Sequence, residues 1–171
     1  MKVLIGLASL LSMAAVQAAD VVRYPLPEGN KFPIASAVEV PAGTTLIFQS
    51  GTTPSPKDPT AQQGTAAYWG NTKEQALSAF ANIRKQLEVE GVSFGDVVKM
   101  TVFLVGDPAN DNKMDFKGFM EAYTQFFGTP EQPNLPSRST IQVAGLAAPG
   151  LLVEIEVILA KKSGTGAAKK K

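Results

Sequence analysis

Residues 133–158 read PNLPSRSTIQVAGLAAPGLLVEIEVI, and this stretch decides the fold. Two strand-like runs, 138–143 and 151–159, flank a turn rich in Gly, Ala and Pro. In the second run Val153, Ile155 and Val157 alternate with Glu154 and Glu156. The period of two puts both glutamates on one sheet face, with Leu152 and Ile158 beside them. Arg138 is the one positive charge in the stretch. Its planar fork suits a carboxylate. Glutamates set in an apolar strand must be paired, protonated or functional, because burying them bare costs too much. On the residues alone, an ion pair between Arg138 and Glu154, Glu156 or a neighbouring chain stands beside a ligand-binding role. Both glutamates also fit subunit-interface charges.

Working outward, residues 97–105 (VVKMTVFLV) form a strand with apolar residues on both faces, which predicts a central position. Helices precede and follow it. Residues 72–90 carry Ala76, Phe80, Ile83 and Leu87 on one face, with Leu77 flanking. Asn71 or Thr72 caps this helix, Glu74 or Gln75 completes a capping box, and Gly91 ends it. Residues 115–127 carry Phe116, Phe119, Met120, Tyr123 and Phe127, an aromatic stripe that reads as core, and Gly128 ends the run. Residues 34–40 and 44–49 read as a hairpin around Pro41-Ala42-Gly43. Residues 51–70 read as a long loop, a kind that is often functional. Residues 106–113 read as a polar loop and 129–136 as a proline-rich connection. The order β, β, α, β, α, β, β predicts an α+β fold, a mixed sheet with two helices packed on one face.

Lys2, an apolar run over residues 3–13, and Val16-Gln17-Ala18 predict a signal peptide over 1–18 and a periplasmic or secreted mature chain. The alternative is a retained anchor, but the run is short against the roughly 20 residues of a span. An extended arm over 19–32, a domain over 33–160 and a flexible basic tail over 161–171 complete the organisation. Six of the 16 basic residues are Lys2 and the lysines of that tail, whereas all 15 acidic residues lie between Asp20 and Glu156. The folded part therefore stands at about −5, which speaks against nucleic acid as a partner. The chain has no Cys and no His. Disulfides, thiol catalysis, a Ser-His-Asp triad and His-ligated zinc are excluded, leaving Asp, Glu, Lys, Tyr or backbone for acid–base work.

The stretch from Arg138 through VEIEVI resembles the C-terminal signature of the RidA (YjgF-like) family of enamine/imine deaminases. The resemblance spans about residues 33–160. It implies a fold like that of trimeric chorismate mutase, a homotrimer with a site in each subunit cleft, and no cofactor or metal. It further implies that Arg138 holds the carboxylate of a small 2-imino acid and Glu154 orients the hydrolytic water. Ser50-Gly51 matches the family's SG after the second strand, and backbone near Thr140 matches the group that meets the substrate nitrogen. Where relatives commonly carry tyrosine after Pro33 this chain has Ile34, and where they often carry asparagine in the second helix it has Met120. Both replacements make the expected pocket less polar. Within the resemblance, a non-catalytic carboxylate-binding or chaperone-like protein is the alternative, and a ribonuclease a further one.

Overall fold

The computed structural model describes residues 20–161. In chain order the elements are β1 (Val22–Tyr24), β2 (Ala37–Glu39), β3 (Thr45–Thr52), the single-turn α1 (Ala66–Trp69), α2 (Thr72–Glu90), β4 (Val97–Val105), α3 (Phe116–Tyr123), β5 (Ser137–Val143) and β6 (Val153–Lys161). The four long strands form one sheet in the order β3-β6-β4-β5. β6 is antiparallel to β3 and β4, and β5 is parallel to β4. The sheet is mixed, its most apolar strands are central, and α2 and α3 share one face. This is the expected α+β arrangement.

Local chemistry explains α2. Asn71 accepts the Glu74 N–H at 3.0 Å while Glu74 accepts the Asn71 N–H at 3.0 Å, a reciprocal box that satisfies two free donors. At the far end Gly91 adopts φ 66°, a left-handed cap that a side chain would oppose. The apolar face of α2 (Ala76, Phe80, Ile83, Leu87) meets Phe119 and Tyr123 of α3. Both pack on Met100, Val102 and Leu104 of β4 and on Val153, Ile155, Val157 and Leu159 of β6. The aromatic run after Asp115 ends its regular helix at Tyr123. Beyond it Gln125 and Phe126 donate to the carbonyls of Ala122 and Tyr123, three residues back, tightening the chain as far as Phe127.

The hairpin expected between residues 34–40 and 44–49 does not form. β2 pairs instead with β1, and β3 pairs with β6 over a much longer register. The arm is tied down by one side chain. Arg23 donates to the carbonyl oxygens of Gly95, Val97 and Leu135 at 2.7–2.9 Å. Its burial holds the guanidinium below the usual arginine range, with Asp96 opposing. The arm is thus part of the fold. Residues 1–18, where a signal peptide is expected, and the tail beyond Lys161 lie outside the described residues. Lys161 itself ends β6 and donates to the Glu90 carbonyl at 2.7 Å.

β6 begins at Val153 rather than at residue 151, and Gln75 explains why. This fully buried side chain donates to the carbonyls of Gly70 and Gly150 at 3.0 Å each. Its Oε1 accepts the Leu152 N–H at 2.7 Å. The Leu152 N–H is thus taken by a side chain instead of a strand, while its carbonyl still accepts the Val105 N–H of β4 at 3.0 Å and its side chain enters the core. Among the described residues no helix is long and apolar enough to cross a membrane. Gln75→Leu strands a buried N–H and two carbonyls, and stability should fall by roughly 3 kcal/mol. In a urea titration the midpoint should drop with an unchanged slope. A loss below about 1 kcal/mol would show that the three bonds are replaceable.

Candidate functional site

β5 is an edge strand, and its register decides where Arg138 points. Arg138 lies opposite Met100, and Thr140 opposite Val102. Met100 and Val102 are fully buried on the helix side. Arg138 and Thr140 therefore face α3. There the guanidinium carbon lies 4.2 Å from the ring centre of Tyr123, 5.2 Å from Phe119, 5.4 Å from Phe32 and 5.9 Å from Phe116. Nη2 contacts the Met120 sulfur at 3.2 Å. Each ring face attracts the cation, and burial holds Arg138 below its usual range, with Tyr123 opposing.

No carboxylate completes this cage. Among the described residues the ion pairs are Lys57–Glu74 and Lys73–Glu121, so the pair with Glu154 or Glu156 left open by the sequence does not form within the chain. Arg138 Nη1 and Thr140 Oγ1 are buried without a hydrogen-bond partner. They belong to neighbouring side chains on one strand face, roughly 7 Å apart along the strand. A buried guanidinium nitrogen left unpaired is costly, and a bound anion is the group that would satisfy it.

Glu154 lies on the other side of the sheet, opposite Phe103 of β4. Glu156 shares that face, as the alternation predicted. The ladder between β3 and β6 is regular to Gln49↔Val157 and resumes at Thr52↔Ile155, so Ser50 and Gly51 together oppose Glu156. This β-bulge brings backbone against a carboxylate: a Cβ on Gly51 would overlap Glu154 Oε1. Phe48, Ser50, Lys99, Thr101, Glu156 and Ile158 line a groove of about 270 Å³ on the same face.

The expected residues thus fall into two groups. Arg138, Thr140 and Met120 meet on the helix side; Glu154, Ser50 and Gly51 meet on the open side. Ile34 joins neither. It lines a groove with Arg23, Tyr24, Pro25, Ala35, Pro133, Asn134 and Leu135, beside the Ala35↔Ser137 bridge. The segment preceding it is closer to Arg138, since Phe32 covers the guanidinium and the Tyr123 hydroxyl donates to the Pro33 carbonyl at 2.8 Å. Phe32, Phe116, Phe119 and Tyr123 were not among the residues expected at the site. The i, i+3, i+7 spacing of the last three was visible, but it reads as core. The loop expected over 51–70 is shorter, since β3 runs to Thr52 and α1 occupies Ala66–Trp69, and it packs on the turn before β6: Trp69 Nε1 donates to the Pro149 carbonyl at 2.9 Å, and Gly64 lies against Gly150.

The family model for endoribonuclease L-PSP matches residues 32–161, and the chain belongs to this family, the one also known as RidA or YjgF. It is 33% identical over 93 residues to a RutC family protein of Pyrococcus horikoshii, covering 54% of this chain and 65% of that protein. It is 33% identical over 90 residues to the 2-iminobutanoate/2-iminopropanoate deaminase of Dermatophagoides farinae, covering 53% and 62%. The chain therefore spans just under two thirds of the length of these relatives. The crystal structure of Escherichia coli TdcF with bound serine superposes with a TM-score of 0.52 at 31% identity, covering 82% of this chain and 94% of that one.

Burial pushes the Tyr123 hydroxyl up to about 12, against the opposing pull of the Arg138 charge. A raised folded-state value means that the stabilisation is complete below pH of about 10, where unfolded tyrosine is still neutral. It is lost as pH climbs through about 12. The expected loss over that window is roughly 3 kcal/mol. Denaturant titrations at stepped alkaline pH should show it in the parent and a flatter profile in Tyr123→Phe. Identical profiles would mean that Tyr123 ionises freely.

Proposed function

We propose that this protein hydrolyses 2-imino acids, and their enamine tautomers, to 2-oxo acids. The carrying observation is the caged Arg138, whose buried Nη1 has no partner within the described chain. A substrate carboxylate pairs with the fork, and a relative of the same family carries the name of an imine deaminase. TdcF holds serine, a small molecule bearing a carboxylate, which supports a ligand of the same kind here. The net charge of about −4 over the described residues, Lys161 included, and the lack of histidine weigh against RNA as substrate.

The reaction asks little of the protein. Water adds to the C=N carbon, the carbinolamine collapses, the C–N bond breaks, and the nitrogen leaves as ammonia with the oxo acid behind. Arg138 fixes the carboxylate and so the position of that carbon. Glu154 accepts a proton from the attacking water and returns one to the departing nitrogen.

Within one chain these two residues face opposite sides of the sheet. They can serve one substrate only if Glu154 comes from a neighbouring copy. A homotrimer supplies this geometry and agrees with the open face of the sheet. There Phe48 is 71% exposed, with Leu46 and Ile141 also exposed in the isolated chain. Each cleft then combines the helix side of one subunit with the Ser50-Gly51-Glu154 side of the next. Phe48 and the strand residues around it close the interior.

Ammonia release should be followed from imino acids generated in situ by an amino acid oxidase. Arg138→Ala should lower kcat/KM by about 100-fold or more, and Glu154→Gln by about 100-fold. The two inactive variants, unfolded and refolded together in equal amounts, should recover about a quarter of parental activity, because each mixed pair with intact Arg138 and Glu154 rebuilds a site. No recovery in verified mixed oligomers would place both residues in one subunit's site and overturn the shared cleft. No turnover by the parent would overturn the reaction. We further propose export directed by residues 1–18; mass spectrometry of the protein recovered from its native host should give an N-terminus at Ala19, and an intact Met1 would refute it.

A further inference from the structure

We infer that the Arg138 site selects carboxylates with a large apolar substituent, so that its substrates are 2-imino acids of the leucine, methionine or phenylalanine type rather than of the alanine or serine type. This rests on the reading of Arg138 as the carboxylate holder, but not on turnover. The inventory around the guanidinium supports it. Four rings lie within 5.9 Å of the guanidinium carbon. Nη2 contacts the Met120 thioether, and the one hydroxyl of the cage, that of Tyr123, interacts with the guanidinium and already donates to the Pro33 carbonyl. Beyond the guanidinium, Thr140 Oγ1 is the buried polar side-chain atom left unpaired on this strand face. A substrate carboxylate and its nitrogen end can use those two groups. A hydroxyl or amide further along the substrate would meet aromatic rings, sulfur and a Tyr123 hydroxyl whose proton is already given to the Pro33 carbonyl, so it loses water for little in return.

Phe32 is the second reason. Phe119 and Tyr123 are fully buried, whereas Phe32 is 38% exposed and is stacked on Phe116 at 6.2 Å. It is the outermost ring over Arg138. Nη1 is covered in the free chain, so a carboxylate reaches it by pushing the Phe32 ring aside. That movement breaks ring contacts with Phe116 and with the cation. A large apolar substituent takes up the vacated surface and restores them; a methyl group leaves most of that surface wet. Selectivity for bulk follows from the need to replace Phe32, not from an empty hole shaped for a side chain.

Two measurements separate this inference from the reaction itself. The first is binding, followed by thermal shift and calorimetry with the stable oxo acids pyruvate, 4-methyl-2-oxopentanoate and phenylpyruvate. The larger two should bind at least about tenfold more tightly than pyruvate, and Arg138→Ala should abolish the difference along with binding. The second is the ratio of kcat/KM for phenylalanine-derived over alanine-derived imine, expected above about ten. Phe32→Ala and Met120→Asn, each checked for a parental circular dichroism spectrum, should both lower that ratio. Tight Arg138-dependent binding of phenylpyruvate without any turnover supports the selectivity and removes the deaminase reading. Turnover with equal or better rates on the alanine-derived imine keeps the deaminase and overturns the selectivity. Failure of every oxo acid to bind overturns both.

Discussion

β6 is hydrogen-bonded on both sides, to β3 and to β4, and the alternation of its side chains divides the molecule into two environments. Val153, Ile155, Val157 and Leu159 enter the core under α2 and α3. Glu154, Glu156 and Ile158 are left on a face that no helix covers. Because the side-chain period is two, a slip of one residue would drive two carboxylates into the core. The register is held from its start by Gln75, which takes the Leu152 N–H, and near the end of the β3–β6 pairing by the Ser50-Gly51 bulge. The opposed placement of Arg138 and Glu154 follows from that register and from the parallel pairing of β5 to β4.

The helix side and the open side solve different electrostatic problems. On the helix side one cation is surrounded by rings, which stabilise positive charge while leaving a guanidinium nitrogen unsatisfied. On the open side two carboxylates and Lys99 remain in contact with solvent in the isolated chain. A site that draws on both needs two copies of the chain, so association and chemistry are one requirement in the proposed enzyme. In that proposed enzyme the fold does more than scaffold a pocket, because each subunit contributes half of two different sites.

Much of this was legible in the sequence. The alternation around Glu154 and Glu156, the capped helix α2 and the central β4 all express periods or caps that act over a few residues, and each appeared where its chemistry required. Two features were hidden. β1 and β2 are three residues each and owe their place to three carbonyls gathered by Arg23 from distant segments, which no local pattern records. The cage around Arg138 was hidden for another reason. An aromatic stripe on a helix satisfies the core reading completely, and Phe119 and Tyr123 are indeed buried. Their second role, facing a cation at the sheet edge, depends on the parallel β4–β5 register. Ile34 shows the reverse: a position singled out by resemblance lies in a different groove, while Phe32, two residues earlier, covers the arginine.

The chain has a single tryptophan, and its location fixes what light can report. Trp69 is almost fully buried, with its indole N–H on the Pro149 carbonyl and its ring against Gly150. Its emission therefore senses the seam between the long loop and the entry to β6, remote in character from the aromatic cage on the helix side. A change in tryptophan fluorescence reads loosening of that seam, and with it the footing of Glu154. Events around Arg138 are spectroscopically the province of Tyr123 and the phenylalanines, so a ligand could fill the cage and leave the indole signal untouched.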